Sequence, residues 1–168
     1  MFEYKSRHRY PRVSAVLQYQ RDFVHAFKMG TPTFTTLAAS LVAARLKQQY
    51  SPKVLARLTF FCIPASTPER QELRYKFFSS LVCSLTGMRN GYDFVNVTSE
   101  RTAVHCLRLE GEVTTREVNY SVNLPEDIEA VVFDDVITQG LSYDAFGDAL
   151  ENAGAVIRHA IFLSRSKD

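Results

Sequence analysis

The chain has 168 residues, of which 46% are hydrophobic and 23% charged, and a formal net charge of +2. That length and apolar content suit a single domain, residues 1–168, with a real core, while the absence of a signal-peptide pattern and of any run of about 20 apolar residues argues against secretion and a membrane span. Cys62, Cys83 and Cys106 are odd in number, widely spaced and without a C-x-x-C pair, which argues against a disulfide framework or a zinc ribbon and suits a reduced, cytoplasmic setting. The charge is uneven. Residues 1–96 carry 14 Lys and Arg against 5 acids, and residues 97–168 carry 6 against 13, so a basic half and an acidic half would suit a polyanion held with a divalent cation, or else mark solvated faces.

Residues 1–32 read as a hood or N-terminal extension, irregular apart from a short helix or strand around Val16 to Phe27. Lys5, Arg7, His8, Arg9 and Arg12 read as a basic tail, with nucleic-acid contact as the alternative. A helix is expected over Thr35 to Gln49. Arg57 to Ile63, nearly continuous in apolar residues, reads as the first core strand. In its exit loop the small residues Ala65, Ser66 and Thr67 would let backbone N–H groups reach an anion, with Arg74 able to grip two phosphate oxygens; Arg70 and Arg74 could equally solvate a helix start. Leu73 to Leu85 carries Phe77, Phe78, Leu81, Val82 and Leu85 at helical spacing and ends by Gly87, so its aromatic stripe is core. Cys62 and Cys83 fall in this apolar setting as core fillers. Tyr92 to Val97 reads as a second strand. Residues 99–125 suggest two strands around a polar turn at Gly111, either a lid or an exposed hairpin.

The most informative segment runs from Ala130 to Ser142, Ala-Val-Val-Phe-Asp-Asp-Val-Ile-Thr-Gln-Gly-Leu-Ser. Ala130 to Phe133 suit a strand covered on both faces, and Asp134 and Asp135 fall where it should end, at the carboxyl edge where α/β sheets bind ligands. Thr138, Gln139, Gly140, Leu141 and Ser142 supply hydroxyls, a glycine able to take positive φ and a helix start, which together make a phosphate cup beside a dicarboxylate able to hold sugar hydroxyls or Mg²⁺. A helix over Tyr143 to Asn152 stops at Gly154, and Val156 to Ser164 returns to the sheet by a right-handed crossover. The expected architecture is one α/β domain, a mainly parallel twisted sheet with helices on both faces, a β-rich lid and a small N-terminal hood.

The Ala130 to Ser142 segment resembles the 5-phosphoribosyl-1-diphosphate (PRPP) signature of type I phosphoribosyltransferases, with Gln139 where the signature usually has Thr, Ser or Ala. The resemblance implies that Asp134 and Asp135 contact the ribose hydroxyls and, directly or indirectly, Mg²⁺, while Thr138 to Ser142 wrap the 5-phosphate. It also implies that Ala65 to Thr67 bind pyrophosphate and that residues 99–125 close over PRPP, bringing Arg116 and His105 near the pyrophosphate. Thr138 stands where hypoxanthine-guanine enzymes carry an acid, which disfavours a 6-oxopurine acceptor. Tyr19-x-x-Asp22-x-Val24-x-x-Phe27-Lys28-x-Gly30, Pro64 with Arg70 and Arg74, Arg101-Thr102-x-x-His105 and Arg116-x-x-Asn119 are similar to elements of competence-associated (ComF-like) members, without their N-terminal zinc element.

The expected activity is phosphoribosyl transfer from PRPP to a nitrogen base, releasing pyrophosphate with Mg²⁺ bound, by Asp134, Asp135 and Arg116; the resemblance also implies a homodimer. The alternative is a PRPP-sensing or nucleic-acid-associated protein of the same fold, since fold alone does not fix function. A third class, acyl-phosphate-forming Mg²⁺ enzymes, generally shows an early D-x-D that is missing here.

Overall fold

The structure is a computed structural model that describes residues 2–4, 14–98 and 118–166. At its centre β6 (Glu129–Ile137) lies between β2 (Leu58–Cys62) and β7 (Val156–Ser166), with β3 (Arg89–Asn90) outside β2 and β1 (Phe2–Tyr4) outside β7. Every neighbouring pair in this five-stranded sheet is parallel. The expected α/β class and parallel sheet are therefore present. No helix among the described residues is long and apolar enough to cross a membrane.

Side-chain alternation along the central strands sorts the core into two layers. Leu58, Phe60, Cys62, Val131 and Phe133 pack against α1 (Ala15–Lys28), α2 (Pro32–Gln49) and α5 (Phe77–Thr86). Phe61, Ile63, Ala130 and Val132 pack against α6 (Leu141–Asn152) and a separate antiparallel pair, β4 (Val95–Val97) with β5 (Tyr120–Val122). This is why Leu58–Cys62, Thr59 apart, and Ala130–Phe133 are apolar without alternation: both faces of the sheet are covered there. Phe133 is fully buried, with the rings of Phe78, Phe27, Phe60 and Tyr75 at 4.5, 6.0, 6.0 and 6.4 Å. Its truncation to alanine would cost about 3–5 kcal/mol.

Several elements differ from expectation. Of the two forms expected around Val16 to Phe27 the helix is the one present, longer than expected at residues 15–28 and started by Ser14, whose Oγ accepts from the Leu17 N–H at 3.4 Å. Phe23, Val24 and Phe27 recur at helical spacing and enter the core. The helix expected at Leu73 begins earlier, with Thr67 as N-cap and Pro68 at the first position of α4 (Pro68–Gln71). A π-helical turn, Glu72–Lys76, joins α4 to α5.

The strand expected at Tyr92 is replaced in the main sheet by Arg89–Asn90. Gly91 ends that pairing: its N–H donates to Phe60 O at 2.9 Å, and a Cβ there would lie 2.5 Å from the Phe61 ring. Only glycine allows that approach. The chain then makes a 3₁₀ turn, Tyr92–Phe94, and Val95–Val97 pairs with β5. Tyr120–Val122, part of the second strand expected around the polar turn, is a strand and pairs with β4; the expected first strand, around Val104 to Leu109, lies outside the described residues. Most of the candidate lid, residues 99–117, lies outside the described residues, as does the basic cluster Lys5 to Arg12.

Candidate functional site

From β2 the chain crosses by α4 and α5 to β3, and from β6 it crosses by α6 to β7, in the opposite direction along the sheet. The order therefore reverses between β2 and β6, and the crevice at their carboxyl ends is where open α/β sheets bind ligands. The β2–β6 ladder ends at Cys62 and Phe133, with the Ile63 N–H on Phe133 O at 2.9 Å. The chain leaves at Pro64, whereas β6 continues beside β7 as far as Ile137 opposite Arg165. The acids therefore sit within the strand, not at its end. Once β2 has turned away, the Asp135 N–H is satisfied by Asp134 Oδ1 at 2.8 Å.

As neighbours in a strand, the two carboxylates project to opposite faces. Asp135 enters the layer of α1 and α5, where its side chain is only 4% exposed. Lys28 Nζ, at the last residue of α1, lies 3.1 Å from Oδ1, and the Arg74 guanidinium lies 3.1 Å from Oδ2. Arg74 reaches this position from the π-helical turn, a feature common at functional sites, and is 18% exposed where Lys28 is 36% exposed. Ser164 Oγ donates to the Asp135 carbonyl at 2.9 Å.

Asp134 is half-buried. Burial and then the Asp135 charge push its carboxyl up to about 7, against the smaller opposing effects of the Asp135 N–H, Lys28 and Arg74. Burial, followed by the charges of Asp135 and Asp134, likewise holds the Tyr75 hydroxyl well above its ordinary range. Cys62 is raised by burial and then by Cys83, so neither activated-thiol chemistry nor a disulfide is indicated for these two buried, free cysteines.

Thr138 and Gln139 are exposed, and Gly140, Leu141 and Ser142 half-buried, in the turn from β6 into α6. Gly140 has φ +79°, as the loop requires, and is the N-cap residue. A Cβ there would come no nearer than 3.9 Å to the Asp144 carboxylate oxygens, so the strain of a substitution would be torsional. Asp144 places an acid in the first turn of α6, where it favours the helix dipole and competes with an incoming anion.

The loop after β2 is more occupied than its small residues suggested. The Ala65 N–H donates to Gln71 Oε1 at 2.9 Å, and Thr67 Oγ1 accepts from the Arg70 N–H at 3.3 Å. The Arg70 guanidinium donates to Ser66 Oγ at 2.7 Å, and Asn119 Nδ2 to Ser66 O at 3.0 Å. Arg70 and Arg74 thus make specific contacts in place of merely solvating a helix start. Arg116 and His105 lie outside the described residues.

Among the described residues no group of three or more His, Cys, Asp or Glu side chains could hold a metal by itself. Both Asp135 oxygens already face cations, whereas Asp134 Oδ2 faces none among the described residues. The donor set fits Mg²⁺ shared between Asp134 and oxygens of a bound ligand, the usual way this ion is held, and does not fit direct ligation by Asp135 in this arrangement.

Two residues, one on the Asp135 carboxylate and one on the loop after β2, were missed as candidates. Lys28 and Asn119 were visible only as members of spaced patterns; their contacts with Asp135 and Ser66 span 107 and 53 positions of sequence. No protein-family model matches the chain, and no curated protein matches its sequence.

Proposed function

We propose that the chain is a Mg²⁺-dependent phosphoribosyltransferase of the type I fold, which moves the ribose 5-phosphate group of PRPP to a nitrogen nucleophile, a nucleobase other than a 6-oxopurine. The observation that supports this most is the convergence at one sheet edge of the paired carboxylates, the Gly140 turn opening α6 and the Arg74 guanidinium. Such a cleft matches a ligand with phosphate at one end, sugar hydroxyls in the middle and a second anionic group near a cation.

In this mechanism the turn of Thr138 to Ser142 holds the 5-phosphate and the Asp134–Asp135 pair orients the ribose. The bond from C1 to the pyrophosphate oxygen breaks with its electron pair leaving on pyrophosphate, and the acceptor nitrogen forms the new bond at C1 as its proton passes to solvent or to the departing pyrophosphate. Arg74, aided by Arg116, stabilises charge on the departing group, a positioning and electrostatic role that needs no protein nucleophile. Mg²⁺, when bound with the substrate, supplies further charge neutralisation there.

Titration of PRPP with Mg²⁺ by calorimetry, with ribose 5-phosphate and pyrophosphate as controls, tests the assignment. Saturable binding should weaken at least tenfold, about 1.4 kcal/mol, in Asp134→Asn/Asp135→Asn. Unchanged affinity in the double variant would remove the dicarboxylate from the mechanism. Binding without turnover across nucleobases would favour a PRPP sensor.

A further inference from the structure

We propose that Lys28 is a second receptor, with Arg74, for the diphosphate arm of the ligand, and that Asp135 serves as the counter-ion holding both cations in place until that arm displaces it. The proposal deepens the phosphoribosyl assignment and rests on it for the identity of the full ligand. Three separate elements meet at one carboxylate: Lys28 from the end of α1, Arg74 from the π-helical turn and Asp135 from β6, with both N–O distances 3.1 Å. Asp135 alone offsets one of these two cations, and the neighbouring Asp134, on which Lys28 and Arg74 also act, holds its proton to about 7, so the three groups in direct contact sum to a single positive charge beside the crevice.

The exposures are graded in the direction a ligand would approach. Asp135 is 4% exposed, Arg74 18% and Lys28 36%. The ammonium of Lys28 has three donors, and its ion pair with Asp135 uses one of them. A diphosphate presents more anionic oxygens than the carboxylate and reaches both cations from solvent. When it does, Asp135 is released to accept hydrogen bonds from ribose hydroxyls, so binding of the two parts of the ligand becomes mutually dependent. A helix-terminal lysine that only complemented the α1 dipole would not need Asp135. One that only held Asp135 would affect every ribose ligand alike.

Calorimetry on the full chain with Mg²⁺ distinguishes these roles, comparing Lys28→Met and Lys28→Arg with the parent, using PRPP, pyrophosphate alone and ribose 5-phosphate. The expected result is a loss of tenfold or more for PRPP and pyrophosphate in Lys28→Met, less than twofold for ribose 5-phosphate, and partial recovery in Lys28→Arg. An equal loss for all three ligands, or none, overturns the role of Lys28. If the parent binds pyrophosphate in a Lys28-dependent way but not PRPP, the diphosphate site stands and the phosphoribosyl assignment falls. If the parent binds PRPP and Lys28→Met is unchanged, the assignment stands and the Lys28 site falls. A parent that binds neither overturns both.

Discussion

Asp134→Asn should make the protein more stable at pH 8, with only about a quarter of that gain at pH 4.5. Asparagine has the same shape and keeps an oxygen for the Asp135 N–H, so the bond at 2.8 Å survives; only the charge is lost. In the folded chain burial and the neighbouring Asp135 raise the Asp134 carboxyl from its ordinary 3.8 to about 7. The folded state therefore holds this proton more tightly than the unfolded state does. By linkage, the stability associated with protonated Asp134 is fully present below about pH 4, is lost progressively as the pH rises toward about 7, and changes little above that. The full displacement corresponds to ~4 kcal/mol. Partial solvent contact and relaxation of the two cations reduce this, so the expected gain in Asp134→Asn at pH 8 is about 2 kcal/mol. Urea unfolding of parent and variant across pH 4.5 to 8 at constant ionic strength measures it, since the difference between the two curves cancels the titrating groups that do not interact with Asp134 and leaves Asp134 together with its interacting neighbour Asp135. Parallel pH profiles would refute the placement of Asp134 as a carboxyl strained by its surroundings. A gain in stability accompanied by lost ligand affinity would be the signature of a site retained for function at a cost to the fold.

Asp135→Asn should have the opposite sign. It leaves Lys28 and Arg74 facing each other without a counter-charge, and with Lys28 a third exposed the expected loss is about 2–3 kcal/mol at pH 7, below the full cost of breaking a buried pair; chemical denaturation showing less than 0.5 kcal/mol would contradict the ion triad. Gly91→Ala should destabilise by about 1–3 kcal/mol through overpacking, because the new methyl would lie 2.5 Å from the Phe61 ring and 2.9 Å from Phe60 O. A melting temperature equal to the parent's would show that β3 can move away at little cost.

Local patterns along the chain were enough to reveal much of this fold. The apolar runs of β2 and β6 are legible because strands covered on both faces need no polar alternation, and α2 and α6 because their spacing and end residues are local properties. Gly140 could be read for the same reason: a turn from strand to helix demands positive φ at a residue that can adopt it. Around Val16 to Phe27 the pattern left helix and strand both open, and the choice of helix is explained by Phe23, Val24 and Phe27 entering one core layer, with Phe27 against Phe133.

Contacts distant in sequence were decided only by tertiary structure. Nothing local could show that Val95–Val97 leaves the main sheet, since both possible partners offer the same backbone groups and the choice is made by the close approach of Gly91 to Phe61. The adjacent acids looked equivalent in sequence. The strand's alternation and the departure of β2 at Pro64 separate them, placing Asp135 between two cations and leaving Asp134 half-buried with its proton held to about pH 7. The sequence alone thus specified the kinds of chemical groups available, because side-chain chemistry and local periodicity are written there; their charge states and partners depend on burial and on chain segments that only folding brings within about 3 Å of one another.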